Sequence, residues 1–271
     1  MNLTYSIIYG AIQGFAEMLP ISSSAHLVLF PYIFKNTLSL TDPGLAFDVA
    51  LHFGTLIAIL AYFWKDWINL FKATFEIIKT RSVKTSEQKL VVLLLIASVP
   101  GAIIGALFNK YAETVLRDPL LIAFTLASVG LLLLYADSKD KGVKEITDIT
   151  NKNALLIGLS QALAIIPGVS RMGITNTTGL FLGLKREDIG KFSLLMSAPI
   201  IAGASLMKFK DITGPMLSTL EFWAAILSSM LFSYLAILIL LSYLRNHSFK
   251  IFAYYRFALA ALVIIIYLTR R

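Results

Sequence analysis

The sequence predicts an all-α polytopic membrane protein, a single integral membrane domain over residues 1–271 made of two inverted repeats. Each repeat has five segments, a broken re-entrant hairpin followed by three transmembrane helices. Three observations predict this: the composition, a set of apolar runs of bilayer length, and two polar, proline-broken segments at matching places. Of the 271 residues, 57% are hydrophobic before the 16 glycines are counted, 15% are charged, and none is cysteine. Soluble domains carry about 45–50% apolar and about 25% charged residues, so the apolar excess must face lipid. That excludes a disordered chain, a fibre and a secreted disulfide scaffold. The formal net charge of +8 does not imply nucleic acid as a partner. The basic residues sit in short connectors between apolar runs, where they orient a membrane protein.

Six runs are long enough for a hydrocarbon core of about 30 Å: Leu45–Trp64, Leu90–Phe108, Pro119–Ala136, Ile189–Met207, Leu217–Leu244 and Ile251–Leu268. Arg256 interrupts the last and is expected to confine its membrane part to the residues that follow. Four other runs are short or polar. Leu3–Leu19 carries Gln13 and Glu17 and stops at Pro20, and no basic side chain precedes it, so no cleavable leader is expected. Ser22–Phe34 spans about 20 Å as a helix, too little to cross. Ala154–Ile166 is equally short and stops at Pro167, and Ser170–Leu184 carries Arg171, Thr175, Asn176, Thr177 and Thr178. Each short pair reads as helix, break, helix, which membrane depth tolerates only where the freed backbone lines a cavity or packs in protein.

The two pairs resemble each other. Gly10-x-x-Gln13-x-x-Ala16 recurs as Gly158-x-x-Gln161-x-x-Ala164, each followed by a proline, a serine-bearing loop and three long runs. The repeats are placed at about 1–136 and 153–271, joined by a connector at 137–152. An odd number of crossings per repeat inverts the second copy. Counting Lys and Arg by alternate sides gives 16 on the side of Lys65–Lys89, Asp137–Asn153, Lys185–Lys191 and Arg245–Arg256, and 7 on the other. The basic side is expected to be cytoplasmic, which puts both termini outside a multi-pass protein of the inner (plasma) membrane. Inverted repeats bring their broken helices together near the midplane, where the working site is expected.

Glu17 and Arg171 are the ionisable residues hardest to explain at membrane depth, where each costs at least about 2.5–3.5 kcal/mol. Lying beside the two breaks, they are brought near one another by the repeat, either as a working pair or as a lock between the halves. Around them, Ser22-Ser23-Ser24-Ala25-His26 opens one helix, and Gly168-Val169-Ser170-Arg171-Met172-Gly173 opens another. One serine is accounted for as an N-cap. The remaining serines, the backbone N–H groups of helix starts and the forked guanidinium point to an anionic head group, a phosphate, bound within the membrane. His26 is the expected group for proton transfer or attack, since an imidazole titrates near neutral pH. His52 and Asp48 share a helical face, as a supporting pair for the site or a helix-stabilising couple. The segment Asn36–Asp42, flanking the first hairpin on the outer side, is poor in charge, which favours a site opening outward.

The segments Gln13-Gly14-Phe15-Ala16-Glu17-Met18-Leu19-Pro20-Ile21-Ser22-Ser23-Ser24-Ala25-His26 and Pro167-Gly168-Val169-Ser170-Arg171 resemble the two motifs of the undecaprenyl-diphosphate phosphatase family of the bacitracin-resistance type. Length, segment order and the region Phe47–Thr55 extend the resemblance over essentially the whole chain. It implies hydrolysis of an isoprenoid lipid diphosphate to the monophosphate plus phosphate, recycling the lipid carrier of cell-wall synthesis, with a divalent cation, Mg²⁺ or Ca²⁺. By the same resemblance Glu17, Ser23, His26 and Arg171 are the catalytic set, Glu17 also a metal ligand. Gln13, Ser22, Ser24, Gly168, Ser170 and Thr175 bind the head group. Gln13 stands where the family often has Glu, and Met172 where Ser is common. The resemblance leaves a homodimer open, with membrane lipids as the remaining partners. The reading from another class is a transporter or flippase for a lipid phosphate, using the same anion site without cleavage.

Overall fold

The described residues fold almost entirely into α-helices. The computed structural model describes residues 2–34, 45–139, 142–208 and 214–270; the Asn36–Asp42 flank lies outside them. The first half is α1 (Leu3–Met18), α2 (Ser23–Phe34), α3 (Leu45–Tyr62), α4 (Trp64–Thr80), α5 (Ser86–Val115) and α6 (Pro119–Lys139). The second is α7 (Asn151–Ala162), α8 (Arg171–Phe181), α9 (Arg186–Lys208), the single-turn α10 (Gly214–Leu217), α11 (Leu220–Leu244) and α12 (Lys250–Thr269). Among the described residues the only β pairing is one bridge, Lys144 to Leu184.

Local sequence sets the helix starts. Thr85 with Gln88, and Thr150 with Asn153, form reciprocal capping boxes for α5 and α7, satisfying donors that a helix start otherwise leaves free. Asp118 caps α6 through Leu120 and Leu121 N–H, with Pro119 as the first helical residue, a position where its missing N–H costs nothing.

Among the described residues, five helices are long and apolar enough to cross a membrane: α5 over Ser86–Phe108, α6, α9 over Arg186–Met207, α11 and α12. Two expectations change here. The run read as Leu45–Trp64 ends as a helix at Tyr62, and Trp64 opens α4 inside what reads as a bare connector. Nor does Arg256 cut short the last span, because α12 runs unbroken through it. The residue counted among the cytoplasmic cations is fully buried, its charge met by backbone carbonyls.

The helices cross-pack between halves. α1 lies along α11 and α7 along α5, while α3 meets α9 and α6 meets α12. Lipid gives apolar helices no drive to associate, so close approach through small residues supplies it. A Cβ on Gly10 would stand 2.7 Å from the Ala225 carbonyl of α11, and one on Gly158 would stand 2.4 Å from the Ala97 carbonyl of α5. Ser228 and Ser229 of α11 donate to the Ile7 and Leu51 carbonyls, both at 2.7 Å. Large apolar side chains such as Leu107, Phe124 and Leu131 point outward, exposed, as a lipid-facing surface requires.

Candidate active site

The two helix breaks touch. Ser22 and Ser170 are the residues before α2 and α8, and both take positive φ, 75° and 67°, a region costly for non-glycine residues and found where surroundings hold it in place. Each caps its helix: Ser22 Oγ accepts from Ala25 N–H at 3.4 Å, and Ser170 Oγ from Gly173 N–H at 3.1 Å. Ser22 Oγ also accepts from Gly168 N–H at 3.2 Å, joining one loop to the other. Gly168 has φ 93°, and a Cβ there would collide with Thr125 Oγ1, so both its backbone and its packing require glycine.

Glu17, one turn before the first break, has 9% of its side chain exposed and collects three donors. Ser23 Oγ and one Arg171 Nη donate to opposite carboxylate oxygens in short hydrogen bonds, and Gln13 Nε2 donates at 3.2 Å. The other Arg171 Nη donates to the Ser197 carbonyl at 3.1 Å. The Ser23 proton thus already points at a carboxylate, and a guanidinium sits across from it. His52 Nε2 lies 3.9 Å from Glu17, with its Nδ1 2.7 Å from the Asp48 carbonyl. Asp48 is in turn 3.8 Å from Arg117.

Glu17, Ser23, Arg171, His52, Asp48 and Arg117 line one cleft of about 320 Å³, together with Ser22, Ser24 and Ser170. Apolar groups line it too: Leu27 and Val28 of α2, Gly101 and Gly105 of α5, and Ile200, Ile201 and Ala204 of α9. No other described atom comes within 4 Å of a Cβ built on Gly105.

The sequence-predicted residues divide. Glu17, Ser22, Ser23, Ser24, Ser170 and Arg171 line the cleft. Gln13 stands behind Glu17 as a donor. Thr175 is fully buried and turned away, donating to the Arg171 carbonyl at 2.8 Å and paired with Ser193 at 2.9 Å, so it holds the helix that carries Arg171. Gly168 contributes its N–H to Ser22. His26 faces α12, with Nδ1 2.7 Å from the Ser22 carbonyl and Nε2 2.7 Å from Tyr255 Oη, its ring stacked on the tyrosine. The imidazole beside Glu17 is His52.

Sequence reasoning missed Arg117 and, above all, Arg256. The Arg256 guanidinium donates to the carbonyls of Pro20 in the first break, Gly168 and Val169 in the second, and Thr125 and Leu126 on α6, at 2.7–3.3 Å. One side chain therefore satisfies the backbone that both breaks set free. The signal was present, a lone arginine inside an apolar run.

For a metal ion, no group of three His, Cys, Asp or Glu is close enough among the described residues. The donors present are oxygens: Glu17, Ser23 and Gln13 Oε1, the last buried with no protein partner. Such a set fits a hard divalent cation that takes its remaining ligands from a substrate's phosphates.

Over residues 6–262 the chain matches the model of the family described as bacitracin resistance protein BacA. It is 47% identical to the undecaprenyl-diphosphatase of Moorella thermoacetica over 271 residues, 100% of both chains. The undecaprenyl-diphosphatase of Pelotomaculum thermopropionicum is 46% identical over 271 residues, 100% of this chain and 99% of the relative. That of Gemmatimonas aurantiaca is 41% identical over 263 residues, 97% of each.

Proposed function

The chain belongs to the bacitracin resistance protein BacA family and is an enzyme of the diphosphatase class; on that premise we propose that it hydrolyses undecaprenyl diphosphate, or a close polyprenyl homologue, to the monophosphate plus phosphate. In the cell this returns the lipid carrier of cell-wall synthesis to use. The observation that carries the reading is the triple contact at Glu17, where a serine hydroxyl and a guanidinium meet one carboxylate at the junction of two helix starts. An arriving diphosphate competes for Arg171, whose fork suits phosphate better than a single carboxylate oxygen. That exchange frees Glu17 to take the Ser23 proton. Ser23 Oγ then attacks the terminal phosphorus, the anhydride P–O bond breaks, and the lipid monophosphate leaves. Water cleaves the Ser23 phosphate and restores the hydroxyl. His52 is within reach of Glu17 to move protons in either half, while His26 holds the serine loop through the Ser22 carbonyl.

A divalent cation held by Glu17, Gln13 Oε1 and Ser23 would neutralise diphosphate charge that Arg171 alone cannot balance. The isoprenoid lies along the apolar lining of the cleft between α5 and α9. The cross-packing of α1 with α11 and α7 with α5, and the matched N-cap serines, support the inverted-repeat reading. Phosphate release from purified protein given a polyprenyl diphosphate, with and without chelator, is the test. Release abolished by chelator and restored by Mg²⁺ or Ca²⁺ is expected. Full activity in chelator would remove the cation, and no release from any lipid diphosphate would remove the hydrolase.

A further inference from the structure

The helix α4 carries three parallel rows at helical spacing. Leu70 and Ala73 are buried, and Trp67, Thr74 and Ile77 half-buried, on the side packed against α5. Beside them Trp64, Ile68, Phe71, Phe75 and Ile78 form an exposed apolar row, with Phe71, Phe75 and Ile78 each about 70% exposed. The third row is Lys65, Asn69, Lys72, Glu76 and Lys79, also exposed. Its acidic member is engaged, Glu76 accepting from Gln88 at 3.0 Å, and Asp66 nearby is paired with Lys191 at 2.7 Å. With Lys65, Lys72 and Lys79 against Glu76 alone, the row is net positive, continued by Arg81 and Lys84 just past the helix end.

Neither water nor hydrocarbon alone accommodates such a helix. Five large apolar side chains in one unbroken row exceed what a water-facing surface carries without a partner. Charged groups on every turn make residence in the acyl core costly. A second copy of the chain would cover the apolar row, but a twofold pairing sets the same basic row of each copy beside the other's, and like charges at close quarters oppose it. The plane where apolar and basic rows are both satisfied is the edge of the bilayer.

We infer that α4 lies in the plane of the membrane surface and docks on anionic lipid head groups, its apolar row among the upper acyl chains and Lys65, Lys72 and Lys79 on the phosphates. The Lys65 ammonium already sits 5.4 Å over the Trp64 ring, joining the two rows at one end. Through its packing on α5, whose Gly101 and Gly105 bound the cleft, the helix ties an anionic leaflet to a wall of the active site. The inference rests on α4 alone and stands whether or not the proposed hydrolysis does.

The chain has no cysteine, so single spin labels at Phe71→Cys and Lys72→Cys test it cleanly in the full-length protein in nanodiscs. Both positions are exposed, and neither belongs to the cleft. Label 71 is expected to be relaxed by oxygen, which partitions into lipid, and label 72 by a water-soluble nickel chelate. Adding phosphatidylglycerol to phosphatidylcholine discs should move label 71 deeper. In a Phe71→Cys protein that also carries Lys65→Gln, Lys72→Gln and Lys79→Gln, most of that response should be lost. Nickel access at both positions would place the helix in water, and shielding of both from oxygen and nickel would place it against another protein surface. A depth unchanged by phosphatidylglycerol would remove the anionic lipid. Any of the three overturns the inference.

Discussion

Glu17 and Arg171 satisfy each other with only 9% and 11% of their side chains exposed, so replacing either one strands a buried group, a change that costs about 3–5 kcal/mol in comparable pairs. Their catalytic consequences should differ. Glu17→Gln keeps the volume, removes the base, and leaves Arg171 free for phosphate. It is expected to lose at least about 10²–10³ in turnover, and its response to added cation, while still binding lipid diphosphate. Arg171→Lys keeps the charge but loses the fork, so both turnover and KM should suffer. Phosphate-release kinetics separate the two, and wild-type turnover in either variant would refute its role. Arg256 acts differently, because it touches no cleft residue's side chain in the hydrogen bonds it makes. Arg256→Met should leave the carbonyls of Pro20, Gly168 and Val169 without their donor, at about 1–3 kcal/mol for each left unpaired. Melting in detergent should drop by several degrees, with turnover falling as the loops lose their register. Arg256→Lys should recover part of the melting temperature and little of the rate. Unchanged melting in both variants would mean the loops hold themselves.

The helices show what pattern reveals and what it hides. Apolar runs located α5, α6, α9, α11 and α12 because lipid exposure demands unbroken apolar length. The prolines and serines located both breaks, and the costly charges Glu17 and Arg171 meet in one cleft. Direction was harder to read. His26 sits one turn into α2, and only the packing of α2 beside α12 turns it to Tyr255. His52, eight residues into α3, reaches Glu17 because α3 crosses α1. The helical α4 escaped notice because its three-row pattern yields no long apolar run. Within the cleft, open space beside Gly105 of α5 makes a specific expectation about the lipid tail. Gly105→Leu should cut activity on long polyprenyl diphosphates by about ten-fold or more, by filling a groove that a short isoprenyl diphosphate does not reach. Short-chain activity serves as the internal control. Equal effects on both chain lengths would move the tail elsewhere.

At the scale of the molecule, charge and site position together give an expected orientation relative to the membrane. Arg256 leaves the cytoplasmic count, being buried among carbonyls, but the excess of Lys and Arg stays with the face that holds α4, the start of α5 and the Lys185–Lys191 segment. That excess is a rule of cytoplasmic loops, and the basic row of α4 adds a physical reason to prefer a leaflet rich in anionic lipid. The serine loop belongs to the first hairpin, which in this arrangement descends from the opposite face. The cleft should therefore open outward, toward the leaflet where a spent diphosphate carrier would be left after its sugar is transferred. Ser24, exposed in the cleft, and Ser86, exposed at the first turn of α5, report on the two sides. In intact cells, Ser24→Cys should react with a membrane-impermeant thiol reagent added outside, and Ser86→Cys should react only after the cells are opened. Labelling of Ser86→Cys from outside with Ser24→Cys protected would invert the protein, making the diphosphatase site serve the cytoplasmic leaflet instead.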